Sequence, residues 1–261
     1  MQKVAIITGA SHGIGLAIAN RLSDSGWKVY GISRKEFLND KFKSYQSDIN
    51  DHQKIEKIFR EIFEKEGHID ALINNAGFGI AGAIEETEFQ NIEKIVSTNL
   101  SAQIKSCKMI IPYLRQSKGK IINISSVAGM IPLPFQACYS ATKAGVEVFS
   151  RALAMEVEPF GIKVTAILPG DTKTNFTNAR VVDKTDNSAY EERVDKSIGR
   201  MAKDEQNGKS PEVLAKVVEK VLNKKNPPLR KTIGGLSKFE IFLTRICSTK
   251  LVNFIVKKLY G

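Results

Sequence analysis

Short apolar runs rich in valine and isoleucine alternate along this chain with longer segments whose apolar residues recur every three or four positions. The short runs are typical of strands buried on both faces of a parallel sheet, and the longer segments of helices covering it. We predict strands at 4–8, 28–33, 42–46, 71–74, 120–125, 163–168 and 230–233, and helices at 14–25, 51–66, 87–116, 138–158 and 210–222. This alternation predicts an α/β fold, a doubly wound parallel sheet with helices on both faces.

The length of 261 residues suits one sizeable core, and we expect residues 1–235 to form a single domain. Within it, 171–209 is a long stretch of mixed charge with no predicted strand. Tyr190, Val194, Ile198 and Met201 recur there at helical spacing, which predicts an ordered lid or one that orders on binding. Thr87 and Gln90 have the spacing of a capping box at the start of the third helix.

The remaining segment, 236–261, predicts two short amphipathic helices. Phe239, Phe242, Leu243 and Ile246 fall at helical spacing, and Val252, Ile255, Val256 and Leu259 repeat it. Residues 223–261 hold nine Lys or Arg against Glu240 alone, so they carry +8 of the net charge of +11. Two alternatives stay open for this tail: it packs on the body and caps a substrate cleft or an oligomer interface, or it attaches reversibly to an anionic membrane.

Several functional classes are disfavoured by composition. No apolar stretch reaches transmembrane length, and we expect no signal peptide because strand-like sequence begins at Lys3. Cys107, Cys138 and Cys247 lack the spacing of a disulfide framework or a zinc site, and three scattered histidines disfavour histidine-dependent hydrolysis. We therefore expect a cytoplasmic protein with no metal site and no nucleic-acid partner, whose tail is the candidate for peripheral membrane contact.

A glycine-rich loop follows the first strand and opens the first helix, in the run Thr8-Gly9-Ala10-Ser11-His12-Gly13-Ile14-Gly15. Such a loop turns tightly, lets a pyrophosphate approach the backbone and presents helix N-terminal N–H groups to it. The spacing is a variant of the common dinucleotide fingerprint. We predict dinucleotide contacts from Gly9, Ser11, His12, Gly13, Ile14 and Gly15.

The residues after the second strand indicate which dinucleotide is bound. An acidic residue there would accept a hydrogen bond from the adenosine ribose, whereas basic residues would pair with a 2′-phosphate. The strand ends Ser33-Arg34-Lys35, and Arg34 can offer a bidentate fork to phosphate. The sequence therefore favours NADP(H) over NAD(H).

Tyr139 and Lys143 lie four residues apart in a predicted helix, which places phenol and ammonium on one face, one turn apart. A nearby ammonium favours phenolate, and such a phenol can exchange protons with a carbonyl oxygen. Ser126 lies thirteen residues upstream, at the end of a predicted strand. Together these residues predict proton-transfer chemistry at a carbonyl or alcohol.

With these motifs in order, the chain strongly resembles the short-chain dehydrogenase/reductase family, in the branch with TGxxxGxG and YxxxK motifs. The resemblance covers about residues 3–235. It depends on the glycine loop, Asp48, Asn74-Asn75-Ala76-Gly77, Asn99, Ser125-Ser126, Tyr139 with Lys143, and Pro169-Gly170. The run 78–82 and the tail look like the hydroxysteroid and retinol dehydrogenase-like subgroup.

The resemblance implies a seven-stranded Rossmann fold and NAD(P)-dependent oxidoreduction of alcohols and carbonyls. It implies that Tyr139 is the general acid/base and that Ser126 binds the substrate oxygen. Lys143 would hold the nicotinamide ribose and lower the Tyr139 pKa, and Asn99 would anchor a water linking Lys143 to solvent. Further cofactor contacts carried over are Asp48 and Ile49 at adenine, Asn75, Ala76 and Gly77 on the adenosine side, and Pro169, Gly170, Thr172 and Thr174 at the nicotinamide amide.

We therefore predict an NADP(H)-dependent oxidoreductase that interconverts a secondary alcohol and a ketone or aldehyde. The expected cleft is apolar and fits a steroid, retinoid or acyl-like substrate; its candidate residues are Met130, Ile131, Pro132, Leu133, Phe135, Phe176 and Tyr190. Alternatives are a 3-oxoacyl-carrier-protein reductase-like enzyme, a non-catalytic dinucleotide-binding sensor, and a nucleic-acid or membrane binder that acts through the basic tail. Like the family, the chain is expected to form a homodimer or homotetramer through the helices at 87–116 and 138–158.

Overall fold

A computed structural model describes residues 1–177, 179–183 and 189–261 of the chain. Its central sheet has seven parallel strands in the order β3-β2-β1-β4-β6-β7-β9. These are β1 (Val4–Thr8), β2 (Lys28–Ser33), β3 (Lys43–Gln46), β4 (Ala71–Asn74), β6 (Lys120–Ile124), β7 (Lys163–Pro169) and β9 (Arg230–Ile233). The predicted doubly wound parallel sheet is confirmed.

A second, two-stranded sheet pairs β5 (Ile80–Ala81) with β8 (Val181–Val182). Neither strand was predicted, and β8 lies in the stretch 171–209 that was expected to contain none. Two residues are too few to show a period of two, so no sequence pattern announces such a pair. This small sheet joins the segment after β4 to the segment after β7.

The described part of the chain forms nine α-helices. They are α1 (Gly13–Asp24), α2 (His52–Glu66), α3 (Phe89–Val96), α4 (Ala102–Ser117), α5 (Ala137–Val157), α6 (Glu191–Gln206), α7 (Pro211–Leu222), α8 (Gly235–Ile246) and α9 (Thr249–Tyr260). The helix predicted within 171–209 is α6, which buries Val194 and Met201. Residues 178 and 184–188 of the predicted lid lie outside the described residues.

Alternation along the strands divides the core between the two faces of the sheet. In β1, Val4 and Ile6 belong to the cluster under α2, α4 and α5, whereas Ala5 and Ile7 belong to the cluster under α1 and α7. Every residue of β1 is buried, because both faces are covered. This double coverage explains why the strands appear in the sequence as continuous apolar runs rather than as alternating patterns.

The predicted single helix at 87–116 is wrong in detail. A π-helical segment, Ser97–Ser101, separates α3 from α4 and contains the buried Asn99. The predicted capping box is also wrong: α3 begins at Phe89, and the Thr87 hydroxyl donates to the Ala83 carbonyl at 2.9 Å. A π-helical turn interrupts the regular hydrogen bonding of an α-helix, and such turns often lie at functional sites. This segment therefore marks Asn99 as a candidate site residue.

The strand order reverses between β1 and β4, so the loops at their carboxyl ends diverge and leave a crevice between them. The glycine loop follows β1, and the run Asn74-Asn75-Ala76-Gly77 begins at the end of β4. Ligands of doubly wound sheets bind in such crevices. The topology therefore brings the predicted nucleotide-binding residues to one edge.

The tail forms the two predicted helices, α8 and α9. Ile241 of α8 is buried against Ile131 and Leu168, and Val256 of α9 packs on the same cluster. The Tyr260 hydroxyl donates to the Asp204 carboxylate of α6 at 3.0 Å. The tail therefore packs on the body. Among the described helices, none combines the length and the apolar character needed to cross a bilayer.

Candidate active site

The glycine loop is folded back onto the end of β2. The Gly9 amide donates to the Ile32 carbonyl at 2.8 Å, and Gly9 and Gly13 have φ values of 69° and 57°. Backbones with positive φ strain any residue with a Cβ, so glycine is required at these two positions. A Cβ on Gly15 would lie 2.2 Å from the Gly9 carbonyl oxygen, which shows how closely α1 approaches the loop.

Asn75 and Thr8 hold the loop from the β4 side. The Asn75 amide side chain donates to the carbonyls of Thr8 and Gly9 at 3.1 and 3.2 Å. The Thr8 hydroxyl accepts from the backbone N–H groups of Asn75 and Ala76, both at 3.0 Å. The two nucleotide-binding segments are therefore cross-linked before any ligand binds, which is the preorganisation that a phosphate site requires.

These features fit a dinucleotide pyrophosphate. The first turn of α1 has no side-chain cap at His12, so its N–H groups are free to face an anion. The Ser11 hydroxyl and the His12 ring, 2.9 Å apart, stand beside them. We infer that this loop would hold the pyrophosphate, with the helix dipole adding favourable electrostatics.

At the end of β2, Ser33 is buried and its hydroxyl donates to the Lys35 carbonyl at 2.5 Å. The side chains of Arg34 and Lys35 are exposed at the cavity edge. No carboxylate in the described part of the chain forms an ion pair with either one. This arrangement leaves two cations available for an anion such as the 2′-phosphate of NADP(H).

Tyr139 and Lys143 stand on consecutive turns at the start of α5, and Ser126 follows β6. The short 3₁₀ turn Val127–Gly129 after Ser126 packs tightly on α5: a Cβ on Gly129 would lie 2.7 Å from the Lys143 backbone carbonyl carbon. Ser125 also connects the end of β6 to α5, because its hydroxyl donates to the Lys143 carbonyl at 2.7 Å. Close packing thus holds Ser126 beside Tyr139.

Burial raises the pKa of Tyr139 to about 12, while a hydrogen bond from Ser126 acts in the opposite direction. Burial also lowers the pKa of Lys143 to about 8. The Lys143 ammonium lies 5.7 Å from the centre of the Tyr139 ring and donates to the Ile124 carbonyl at 3.0 Å. Burial thus moves both groups towards their neutral forms, and the lowering of the Tyr139 pKa by Lys143 stays a prediction.

Asn99 lies behind this group rather than in the cavity wall. It is fully buried; its side chain donates to the Phe78 carbonyl at 2.8 Å and accepts from the Phe78 N–H at 3.0 Å. A Cβ on Gly77 would lie 3.0 Å from Asn99 Oδ1 and 3.6 Å from Lys143 Nζ. Asn99 therefore fixes the loop after β4 close to the Lys143 ammonium.

One cavity of about 710 Å³ contains most of the predicted site residues. Its walls include Gly9, Ser11, His12, Gly13, Ile14, Ser33, Arg34, Lys35, Ile49, Asn75, Ala76, Gly77, Ser126, Tyr139, Lys143, Pro169, Gly170, Thr172 and Thr174. Three predicted residues do not line it: Gly15, Asp48 and Asn99. Gly15 acts through close packing, and the Asp48 carboxylate accepts from the Asn50 backbone and side-chain N–H groups instead.

The substrate half of the cavity differs in part from the predicted cleft. Ile131, Leu133 and Phe176 line it, and the Phe176 ring lies 5.7 Å from the Tyr139 ring. Met130, Pro132, Phe135 and Tyr190 do not line it; Phe135 and Tyr190 pack edge-on against each other. The tail supplies much of the remaining apolar wall, through Leu243, Val252, Ile255, Val256 and Leu259.

Sequence analysis missed several charged groups in or beside the cavity. Arg180 is buried and forms an ion pair with Glu205 of α6, which lines the cavity and also accepts from the Thr177 hydroxyl. Glu240 of α8 lines the cavity as well; burial, together with Asp171 and Asp204, raises its pKa. One signal was available: Glu240 is the only acidic residue among 223–261, and it faces inward.

Comparisons with known proteins agree with this geometry. The family described as short chain dehydrogenase matches residues 3–185. A 3-ketodihydrosphingosine reductase from Bacteroides thetaiotaomicron is 39% identical over 238 residues, covering 90% of this chain and 88% of its own. A 3-oxoacyl-[acyl-carrier-protein] reductase from Vibrio cholerae is 34% identical, covering 68% and 76%. A short-chain dehydrogenase structure from Streptomyces avermitilis has a TM-score of 0.85 at 30% identity, covering 99% and 97%.

Proposed function

The chain belongs to the short-chain dehydrogenase/reductase family, and on that premise we propose that it reduces the ketone of a long-chain substrate, with NADPH as its cofactor. As a member of that family it is an oxidoreductase that uses NAD(P). The observation that carries the finer proposal is the single cavity in which Ser126, Tyr139 and Lys143 meet an apolar wall built by the tail. The presence of these three side chains in one cavity supports a catalytic role, because a non-catalytic sensor would not need them there.

We assign the proton chemistry to these three side chains. Tyr139 would donate its phenolic proton to the substrate carbonyl oxygen, and Ser126 would donate a hydrogen bond to the same oxygen. Burial favours the protonated phenol, which is the form that can donate a proton to a carbonyl oxygen. The nicotinamide supplies hydride when bound. Lys143 would hold the nicotinamide ribose, and Asn99 positions the backbone beside Lys143.

The shape and charge of the cavity favour an acyl-like chain with a polar head over a steroid or retinoid. Ile131, Val252 and Val256 offer an apolar path, whereas Glu240 adds a carboxylate to the cavity lining. The lining also includes the Glu205 carboxylate, which pairs with Arg180. Carboxylates disfavour a pure hydrocarbon but accept hydrogen bonds from hydroxyl or ammonium groups. The Bacteroides relative is named for 3-ketodihydrosphingosine, an amino ketone with a long alkyl chain. We therefore favour a long-chain ketone with a polar or cationic head group.

A substrate panel tests this proposal. NADPH oxidation should be fastest with a long-chain 2-amino-3-ketone, slower with a 3-oxoacyl thioester, and slowest with a steroid ketone or a retinal. The physical reason is that only the first compound matches both the apolar wall and the carboxylates of the cavity. Absorbance of NADPH gives the ratio of kcat/KM values directly. A preference for the 3-oxoacyl thioester would favour the carrier-protein reductase alternative instead.

Lys143 should give the reductive rate a characteristic pH dependence. Its pKa of about 8 lies below the usual value, so the ammonium is present below that pH and is lost above it. We expect the rate at saturating NADPH to be level near neutral pH and to fall as the pH passes about 8. The Lys143→Arg variant keeps its charge to a much higher pH. If its profile falls at the same pH as the wild type, another group is responsible.

We also propose that the protein is a homodimer or homotetramer. Val148 and Met155 on α5 and Ile104 on α4 are exposed large apolar side chains on the helices expected to form the subunit contact. Packing these faces against a symmetry mate would bury them and brace the helix that carries Tyr139 and Lys143.

A further inference from the structure

The two tail helices have a second apolar face, directed away from the body. It consists of Leu236, Phe239, Phe242, Ile246, Leu251 and Phe254, which we call the outward face. Their exposed fractions run from 47% for Leu251 to 71% for Leu236. None of these six residues lines the cavity. Six exposed large apolar side chains within 26 consecutive residues are a concentration typical of an interaction surface.

The inward face of the same helices is already used. Ile241 packs on the body, and Leu243, Val252 and Val256 line the cavity. Packing on the body therefore explains only half of the apolar residues in the tail. A helix that is apolar on both sides is expected to be covered on both sides. In the described part of the chain nothing covers the outward face.

The charges around the outward face indicate what covers it. Lys238, Arg245, Lys250, Lys257 and Lys258 are all exposed, and none has an ion-pair partner among the described residues. The one acidic side chain of the tail, Glu240, lines the cavity. The exposed charged side chains of the tail, which surround the apolar outward face, are therefore all positive.

We propose that the outward face docks on an anionic lipid bilayer. Apolar side chains enter the boundary between head groups and acyl chains, and the lysines and the arginine lie at the level of the anionic head groups. A second copy of the chain is a poorer partner, because a two-fold contact would place the same cations opposite one another. The positive charges of the tail therefore favour an anionic membrane over a second copy of the chain.

Docking in this orientation has a consequence for the substrate. Ile255 and Leu259 both line the cavity and are about half exposed, so the cavity wall continues to the surface beside the outward face. A long-chain substrate could enter the cavity from the bilayer without crossing water. This consequence rests on the proposed function, whereas the docking itself does not.

Vesicle sedimentation with the full-length protein tests the proposal without cofactor or turnover. The protein should sediment with vesicles of equal parts phosphatidylcholine and phosphatidylglycerol, and much less with phosphatidylcholine alone. The Phe239→Ser/Phe254→Ser variant should lose at least about tenfold in affinity, because two aromatic rings no longer enter the bilayer. The Lys257→Glu/Lys258→Glu variant should lose binding to the anionic vesicles in the same way and make the residual binding less sensitive to salt.

The matched control is Leu38→Ser/Phe89→Ser, which removes two apolar side chains outside the tail that are even more exposed. It should bind vesicles like the wild type. Equal loss in this control, or a wild type that stays in solution with anionic vesicles, would overturn the proposal. Light scattering tests the alternative that another copy of the chain covers the outward face. If the Phe239→Ser/Phe254→Ser change lowers the oligomeric state, that alternative is correct and the proposal is overturned. Activity on a short, water-soluble ketone reports separately on the proposed function and should be retained by every variant.

Discussion

Replacing Tyr139 by Phe should lower the rate of ketone reduction by at least about 10³-fold. The change removes one oxygen atom and leaves the ring, which packs on Phe176, in place. Without the phenol, the developing alkoxide has no proton donor and keeps only the hydrogen bond from Ser126. The loss should appear in kcat as well as in kcat/KM, because the proton is transferred in the transition state.

Two controls separate this chemical role from a structural one. NADPH affinity of the Tyr139→Phe variant, measured by fluorescence, should stay close to the wild-type value, since the phenolic oxygen is needed for proton transfer. Lys143→Ala should instead weaken both turnover and cofactor binding, because the ammonium has two roles. Retention of more than a tenth of the wild-type rate by Tyr139→Phe would reject Tyr139 as the acid.

Replacing Arg34 by Ala should weaken NADPH binding by about 10- to 150-fold, the range expected for loss of charge-assisted hydrogen bonds to a phosphate. Arg34 stands exposed at the end of β2 with no ion-pair partner among the described residues, so its fork is available to a ligand. The affinity for NADH should change little, because NADH has no 2′-phosphate. Dissociation constants for both cofactors, measured on wild type and variant, give the comparison.

Lys41→Ala provides a control for a general effect of positive charge, because Lys41 is also exposed but pairs with Asp24 at 2.7 Å. It should leave the affinity for both cofactors unchanged. Equal weakening of NADPH and NADH by Arg34→Ala, or a native preference for NADH, would contradict the assignment of NADP(H).

The sheet could be predicted because its strands are buried on both faces. Residues such as Val4, Ile6 and Ile7 form apolar runs whose length and β-branching distinguish them from the amphipathic helices. The tail helices could be predicted for a similar reason, since their apolar residues recur at helical spacing. The local pattern of apolar residues was sufficient to predict an element wherever its residues are buried at regular intervals.

The features that sequence analysis missed depend on tertiary contacts. The π-helical segment around Asn99 changes the hydrogen-bonding register within an otherwise helical pattern, so periodicity does not reveal it. Arg180 and Glu205 form an ion pair although they lie 25 positions apart, so no local spacing indicates it. Glu240 occupies a recognisable position, as the lone acid in a basic tail, but only the packing of α8 shows that it faces the substrate space.

The same limit applies to the pKa values. Spacing alone suggests that Lys143 lowers the Tyr139 pKa, yet burial of both groups moves each towards its neutral form. The balance between desolvation and charge can be judged only once the depth of the cavity is known. Burial is the largest cause of both pKa shifts.

The most direct test of the central claim, that Tyr139 transfers the proton in a ketone reduction, is a single-turnover experiment. Wild type and Tyr139→Phe are each saturated with NADPH and mixed with a long-chain 2-amino-3-ketone, and NADPH absorbance is followed in a stopped-flow instrument. We predict a rapid transient for the wild type and one at least about 10³-fold slower for the variant, at equal cofactor occupancy. Transients of equal rate would contradict the claim.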